Sequence, residues 1–258
     1  MVLTPLTIAL WAVALTCAAL AVYGRVRGRT LLGLGIRRPP PWADLGRGAG
    51  IGLGAIAAVL VVEAALGAVS GVSVDLDTGT GAEALGFFVP FALFEELLLR
   101  CLLLVGVLVA TRRSSAALVV SAVVFGLAHF PNPDATWLSL TSSTLGGVMY
   151  AVAFLRTGRV WLPLGLHLSW NLGQAVLGFP VSGIDDYSSM LVSQDQVGPW
   201  WVTGGVYGPE GGVVGIAARV LVIGLLMAVT RQRTPSRLLL TRADRQTVAA
   251  EPVPGQVG

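Results

Sequence analysis

The stretch FEELLLR, residues 94–100, lies within an apolar run that extends from Ala84 to Ala110. It contains two adjacent glutamates and an arginine in a segment whose other residues predict a helix inside a bilayer. An ionisable side chain at the centre of such a helix costs about 2.5–3.5 kcal/mol on insertion scales. Three such groups together need a functional reason. Our hypothesis is that they form the charged part of an active site buried in the membrane.

The spacing of the three charged residues predicts different roles for them. Glu96 and Arg100 are four residues apart, so on a helix they share a face and can form an ion pair. Glu95 is displaced by about 100° around the helix axis and stays free for chemistry. Desolvation raises the pKa of a carboxyl group while a nearby arginine lowers it, which allows Glu95 to serve as a base near neutral pH. The alternative is that the ion pair only fixes helix packing, with Glu95 as a second partner.

The composition indicates an all-α polytopic membrane protein. The chain has 258 residues, of which 54% are hydrophobic and 12% are charged. Soluble domains carry about 25% charged residues, and the recurring apolar runs of about 20 residues are long enough to cross a bilayer as helices. Because the net charge of +3 comes from loop arginines, we expect no nucleic-acid partner.

The apolar runs predict a bundle of about seven transmembrane helices. Cys17 and Cys101 fall in different runs, so we expect neither a disulfide nor a cysteine metal site. Glu63, in the second run, is expected to reach water near the outer end of its helix. Arg219, in the last run, could face Glu63 or the outer interface. The predicted spans are residues 3–23, 48–69, 84–110, 116–130, 137–155, 160–179 and 213–230.

The arginines orient the predicted bundle. With seven spans, 15 of the 17 arginines fall on one side of the membrane, and the loops on the other side contain none. Cytoplasmic loops are enriched in basic residues, so we expect the N-terminus outside and the C-terminus inside. The predicted location is the plasma (cell inner) membrane.

The two histidines of the chain, His129 and His167, both fall inside predicted spans. His167 and Asn171 are four residues apart and share a helix face. In one mechanism, Glu95 removes a proton from water, His129 helps to hold that water, and His167 with Asn171 stabilises an oxyanion. In the other, Glu95, His129 and His167 hold a zinc ion whose bound water is activated. The residues leave both mechanisms open.

Two geometric expectations follow. Water has to reach Glu95 within the bilayer, so we predict a polar cavity that these side chains line and the bundle encloses. Counting about 1.5 Å of rise per residue, Glu95 and His129 lie about 24–25 Å from the nearest loop arginines, whereas His167 lies about 12 Å away. Upright helices would therefore leave His167 too low to meet the other residues.

Three motifs in chain order carry a resemblance to a known family. Glu-Glu-x-x-x-Arg, then Phe-x-x-x-His about 30 residues later, then His-x-x-x-Asn in a later span, resemble the CAAX protease and bacteriocin-processing (CPBP, or Abi) family of intramembrane endopeptidases. The motifs cover about residues 84–179. The resemblance implies that Glu95 activates water, Glu96 and Arg100 complete the first motif, His129 is a second catalytic residue packed on Phe125, and His167 with Asn171 forms the oxyanion site.

The resemblance implies an activity and a domain organisation. We expect a peptidase that cleaves a peptide or protein substrate in the lipid bilayer, and some family members require a prenylated substrate. The metal dependence of the family is disputed, which keeps zinc open. The expected parts are two N-terminal spans with a basic cytoplasmic loop (residues 1–83), a catalytic four-helix core (84–180), an outer loop with the last span (181–230), and a disordered cytoplasmic tail (231–258).

Two other functions remain open from the sequence. One is a proton-coupled transporter in which Glu95, Glu96, Arg100 and His129 form a proton relay. Such a relay would spread charged groups along a path through the membrane, whereas the charges here cluster. The other is a non-catalytic membrane protein that binds a partner, as a bacteriocin-immunity protein does.

Overall fold

The computed structural model describes residues 4–36, 40–188 and 190–230. The predicted disordered tail, residues 231–258, and part of the basic loop, residues 37–39, lie outside the described residues. Within the described residues, a helix occupies each of the seven predicted apolar segments. The helices are α1 (Pro5–Val26), α2 (Trp42–Ala65), α3 (Thr78–Glu96), α4 (Val105–Thr111), α5 (Ser114–Ala128), α6 (Trp137–Thr157), α7 (Trp161–Val176), the short α8 (Trp200–Thr203) and α9 (Val213–Val229).

The helices fit a membrane protein by length and composition. Three of them, α1, α2 and α6, are long and apolar enough to cross a bilayer, and α5 and α9 are shorter apolar helices. The helical, membrane-like fold predicted from the sequence is therefore confirmed. The number of spans and their orientation stay predictions.

The third predicted span is one helical stretch with a change of hydrogen bonding in its middle. α3 continues without a break into a π-helix, Leu97–Leu104, and then into α4. Asp77 caps its start, accepting hydrogen bonds from the backbone N–H groups of Gly79 and Thr80 at 2.9 and 3.1 Å. These bonds and the Thr80 hydroxyl lower the pKa of Asp77. π-Helical turns are rare and frequent at functional sites, and this one begins directly after Glu96.

The prediction that the fourth span contains His129 was wrong by one residue. α5 ends at Ala128, and His129 is its C-cap. Pro131 and Pro133 follow, and proline cannot continue the helical hydrogen-bond ladder. The chain therefore turns at His129, which leaves its imidazole at the end of the helix.

A small antiparallel ribbon was not predicted. β1 (Val69–Val74) pairs with β2 (Val192–Gln196), with Val69 opposite Gln196 and Val74 opposite Val192. The ribbon lies beyond the end of α2, where Gln196 donates a hydrogen bond to Glu63 at 3.3 Å. Glu63 is fully buried, so the expectation that it reaches water was wrong because β2 covers it.

Close helix packing surrounds the site-bearing helices. α2 lies along α7, where Gly48 and Gly165 bring the two backbones into contact because a Cβ at either position would overlap the facing carbonyl oxygen. α6 is the most buried of the long apolar helices, and it packs against α5, α7 and α9. Trp170, Met149 and Tyr150 are at most 1% exposed and form part of the main core cluster.

Candidate functional site

The first element of the site is a buried ion pair at the junction of α3 and the π-helix. Glu96 and Arg100 are fully buried, and Arg100 Nε lies 3.3 Å from Glu96 Oε2. Arg100 Nη1 also donates to the hydroxyl of Ser121 on α5 at 2.8 Å, and that hydroxyl donates to the Leu99 carbonyl at 3.0 Å. The ion pair has the partners that the sequence spacing predicts, and it is tied to a neighbouring helix.

His167 lies between the two glutamates. Its Nδ1 is 3.0 Å from Glu96 Oε1, and its Nε2 is 3.4 Å from Glu95 Oε2. The ring stacks on Tyr150 of α6, with centroids 4.4 Å apart and an interplanar angle of 17°. The depth estimate that placed His167 too low assumed upright helices. In the structure α3 and α7 instead pack so that these groups meet.

The two glutamates differ in burial. The side chain of Glu95 is 22% exposed, whereas that of Glu96 is fully buried. Glu96 is in contact with both Arg100 and His167. Glu95 is thus the carboxylate of the two with a surface that the protein does not cover.

His129 joins this cluster through Phe125. Its Nδ1 donates to the Phe125 carbonyl at 2.8 Å in the tautomer that makes this hydrogen bond, and Nε2 is then the free nitrogen. The Phe125 ring contacts both imidazoles, with centroid distances of 4.7 Å to His129 and 5.7 Å to His167. His129 is half-buried, and Phe125 is in contact with it, as the resemblance implied.

Asn171 lies one helical turn after His167 on α7 and is half-buried. The structure thus brings Glu95, Glu96, Arg100 and His167 into direct contact. It places His129 behind a shared aromatic ring and Asn171 on the same helix as His167.

The arrangement does not offer the ligand set of a zinc site. Among the described residues, no group of three or more His, Cys, Asp or Glu side chains is placed to hold a metal ion. Both nitrogens of His167 face carboxylates, and the Phe125 ring contacts both histidines. We therefore derive no step through a metal held by Glu95, His129 and His167.

The structure contains a second buried ion pair that the sequence did not reveal. Glu210, in the turn before α9, pairs with Arg219 and accepts a hydrogen bond from Trp170 Nε1 at 2.9 Å. Burial opposes ionisation of Glu210, but Arg219 and the Ser182 hydroxyl lower its pKa below the usual value. The apolar surroundings of Arg219 were the signal in the sequence, whereas Glu210 had the pattern of an exposed loop acid.

One groove in the described residues lies away from the candidate site, and the polar cavity predicted around the site stays a prediction. A groove of about 1480 Å³ runs between α2 and α9, and its walls are mostly apolar. Asp44, Arg47, Arg156 and Arg159 lie at one end of it. The candidate site residues do not line this groove.

Comparison with known proteins gives one family match. Residues 79–173 match a family model described as type II CAAX prenyl endopeptidase, Rce1-like. This confirms the resemblance to the CPBP family over that part of the chain, which is less than half of its length. No curated protein and no solved structure matches the chain.

The matched range contains all the candidate residues of the three motifs. It begins at the start of α3 and ends three residues before the end of α7. The apolar helices and the match together identify an integral membrane protein. The residues within the range are Glu95, Glu96, Arg100, Phe125, His129, His167 and Asn171.

Proposed function

We propose that this protein is an intramembrane endopeptidase that hydrolyses a peptide bond with a water molecule activated by Glu95. One observation carries the proposal: His167 bridges a buried, arginine-paired glutamate and a second glutamate that is partly exposed. The family match supports a peptidase in general.

Four residues take part in the proposed hydrolysis: Glu95, His129, His167 and Asn171. Glu95 takes a proton from water while the water oxygen forms a bond to the scissile carbonyl carbon. The oxyanion formed accepts hydrogen bonds from His167 Nε2–H and the Asn171 amide. Glu95 then returns the proton to the amide nitrogen as the carbon–nitrogen bond breaks. His129 holds the water through its free Nε2.

The Glu96–Arg100 pair prepares His167 for this role. Glu96 Oε1 lies 3.0 Å from His167 Nδ1 and accepts its N–H, which fixes the orientation of the ring. Arg100 Nε lies 3.3 Å from the other oxygen of Glu96 and holds that carboxylate in place. His167 Nε2–H is then placed beside the position where negative charge develops.

The substrate that we propose is a prenylated membrane peptide. The support is the description of the matched family, which names prenyl endopeptidases. A lipid-anchored substrate also reaches an active site in the bilayer without leaving the membrane. A peptide panel that contains matched prenylated and unprenylated sequences tests this part of the proposal separately.

Glu95→Gln tests the activity, since the substitution keeps the shape of the side chain and removes the base. We expect peptide cleavage by the purified protein in lipid nanodiscs to fall by about 10²–10⁴-fold. Glu63→Gln is the matched control, because it makes the same substitution at another buried glutamate, one that contacts Gln196 rather than the site. The same cleavage assay with an added chelator measures whether the activity depends on a metal ion. Equal cleavage by Glu95→Gln and by the control would contradict the role of Glu95, and absence of cleavage by the wild type would favour the partner-binding alternative.

A further inference from the structure

The second buried ion pair lies outside the three motifs and outside the matched range. Glu210 is 3% exposed and Arg219 is 2% exposed. Glu210 belongs to a 3₁₀ turn, Pro209–Gly211, that precedes α9, and Arg219 lies within α9. A buried ion pair does not by itself add stability, since desolvation offsets its attraction. The role of the Glu210–Arg219 pair therefore has to be inferred from the residues that it contacts.

One oxygen of Glu210 holds the helix that carries His167. Glu210 Oε1 accepts the Trp170 Nε1 hydrogen bond at 2.9 Å, and the Arg219 guanidinium lies 5.1 Å from the centroid of the Trp170 ring. Trp170 is fully buried on α7. It comes three residues after His167 and directly before Asn171, so the pair holds the helical turn that bears both.

The other oxygen connects to the turn that follows His129. Glu210 Oε2 accepts a hydrogen bond from the Ser182 hydroxyl. The Ser182 carbonyl in turn accepts a hydrogen bond from Asn132 Nδ2 at 2.9 Å. Asn132 follows His129 by three residues, and its N–H bonds the His129 carbonyl at 3.2 Å. Glu210 is thus linked to both segments that carry a histidine.

Arg219 extends the same network to α6. Its guanidinium donates to the Ser142 hydroxyl and lies against Gly146, where a Cβ would be 3.3 Å from Arg219 Nε. One face of α6 carries Ser142, Gly146 and Tyr150, because they follow one another at intervals of four residues. Tyr150 is the residue that stacks on His167.

We propose that Glu210 and Arg219 are positioning residues that fix His129 and His167 relative to each other across α5, α6 and α7. The inference rests on the proposed function for its catalytic consequence. The placement of the histidines is independent of any activity and is measured separately. Misplacement of a reacting group by about 1 Å costs on the order of 10²-fold in rate, so a loosened network changes kcat more than KM.

The test compares Trp170→Phe and Glu210→Gln with Glu63→Gln in the untagged full-length protein in nanodiscs. Trp170→Phe removes the indole N–H donor and keeps an aromatic ring, and Glu210→Gln removes the charge. Glu63→Gln changes a fully buried acid whose partner is Gln196. Thermal unfolding of all three variants shows whether they are folded to the same extent.

The first readout is the imidazole NMR spectrum. The chain contains two histidines, so labelled histidine gives two ring signals. We expect both network variants to shift or broaden both signals, and the Glu63→Gln spectrum to match the wild type. Network variants whose two signals stay at the wild-type positions would overturn the inference, whatever their activity.

The second readout is steady-state cleavage of a peptide that the wild type cuts. We expect kcat to fall by about 10- to 100-fold in the network variants, with KM within about twofold and with no loss in Glu63→Gln. The Trp170→Phe/Glu210→Gln double variant should lose less than the two single losses combined, because both changes act on one connected network. Equal kcat values in the network and control variants contradict the inference. A wild type that cleaves no peptide contradicts the proposed function, and the NMR result then decides the positioning role alone.

Discussion

Two buried ion pairs in the described part of the chain, Glu96–Arg100 and Glu210–Arg219, are built in different ways. Glu96 and Arg100 are neighbours on one helical stretch, and their pair touches His167 directly. Glu210 and Arg219 come from a turn and a helix, and their pair reaches the histidines through Trp170 and Ser182. The first pair sets the charge at the site, and the second sets the relative placement of the helices around it. The role of a buried charge therefore depends on the groups that it contacts and not on its burial alone.

The largest expected effect is a loss of stability when the Glu96–Arg100 pair is broken, and a second variant then separates the role of its charge from its role in packing. In Arg100→Met, Glu96 stays in a fully buried position without its arginine, and breaking a buried pair in this way costs about 3–5 kcal/mol of stability. We expect the thermal unfolding midpoint in detergent to fall sharply. In the double variant Glu96→Gln with Arg100→Met, most of that stability returns.

Activity should not return with stability in the double variant. His167 Nδ1 then faces a neutral amide instead of the Glu96 carboxylate, so the ring loses the charged acceptor that holds it at 3.0 Å. We expect peptide cleavage to stay at least about 10²-fold below the wild type. Wild-type cleavage by the stable double variant would show that the first pair serves packing alone, as the alternative interpretation of the sequence holds.

The contrast between the pairs explains what the sequence could predict. The helices in the seven apolar segments follow from the apolar runs, and the Glu96–Arg100 pair follows from four-residue spacing on one helix. The Phe125–His129 contact was implied by the resemblance. These are local relations, and the structure contains them. The contact of His167 with Glu96 joins residues 71 apart in the chain, and spacing gives no information on it.

The misses have the same physical origin. Glu63 was expected to reach water because a lone acid near a helix end usually does, but Gln196 of an unpredicted ribbon covers it. Glu210 was expected in an outer loop, where acids are exposed, but that loop folds back against α6 and α9. The π-helix after Glu96 changes the pattern of backbone hydrogen bonds. It lies within a mostly apolar run, in which no residue type predicts a π-helix.

An intermediate effect comes from the aromatic face that supports His167. Tyr150 stacks on the imidazole at 4.4 Å, and aromatic pairs of this kind contribute about 0.5–1.5 kcal/mol beyond their buried area. Tyr150→Phe keeps the ring, whereas Tyr150→Leu removes it. We expect kcat/KM to fall by about 2- to 15-fold in Tyr150→Leu and to stay near the wild-type value in Tyr150→Phe. An equal loss in both variants would assign the role to the hydroxyl instead.

The smallest effect tests how tightly the second pair fits against α6. In Gly146→Ala the new methyl group would lie 3.3 Å from Arg219 Nε, whereas at Gly224 of α9 no described atom lies within 4 Å of an added Cβ. Both glycines are inside apolar helices, where alanine is the better helix former by about 1 kcal/mol. Gly224→Ala should therefore raise the unfolding midpoint slightly.

In Gly146→Ala the crowded guanidinium of Arg219 offsets the gain in helix propensity, because overpacking costs about 1–3 kcal/mol. We expect its midpoint to lie below that of Gly224→Ala and its kcat to fall by less than that of Glu210→Gln. Equal midpoints and an unchanged kcat would mean that Arg219 moves aside without consequence, and the second pair would then not control the distance between α6 and α7.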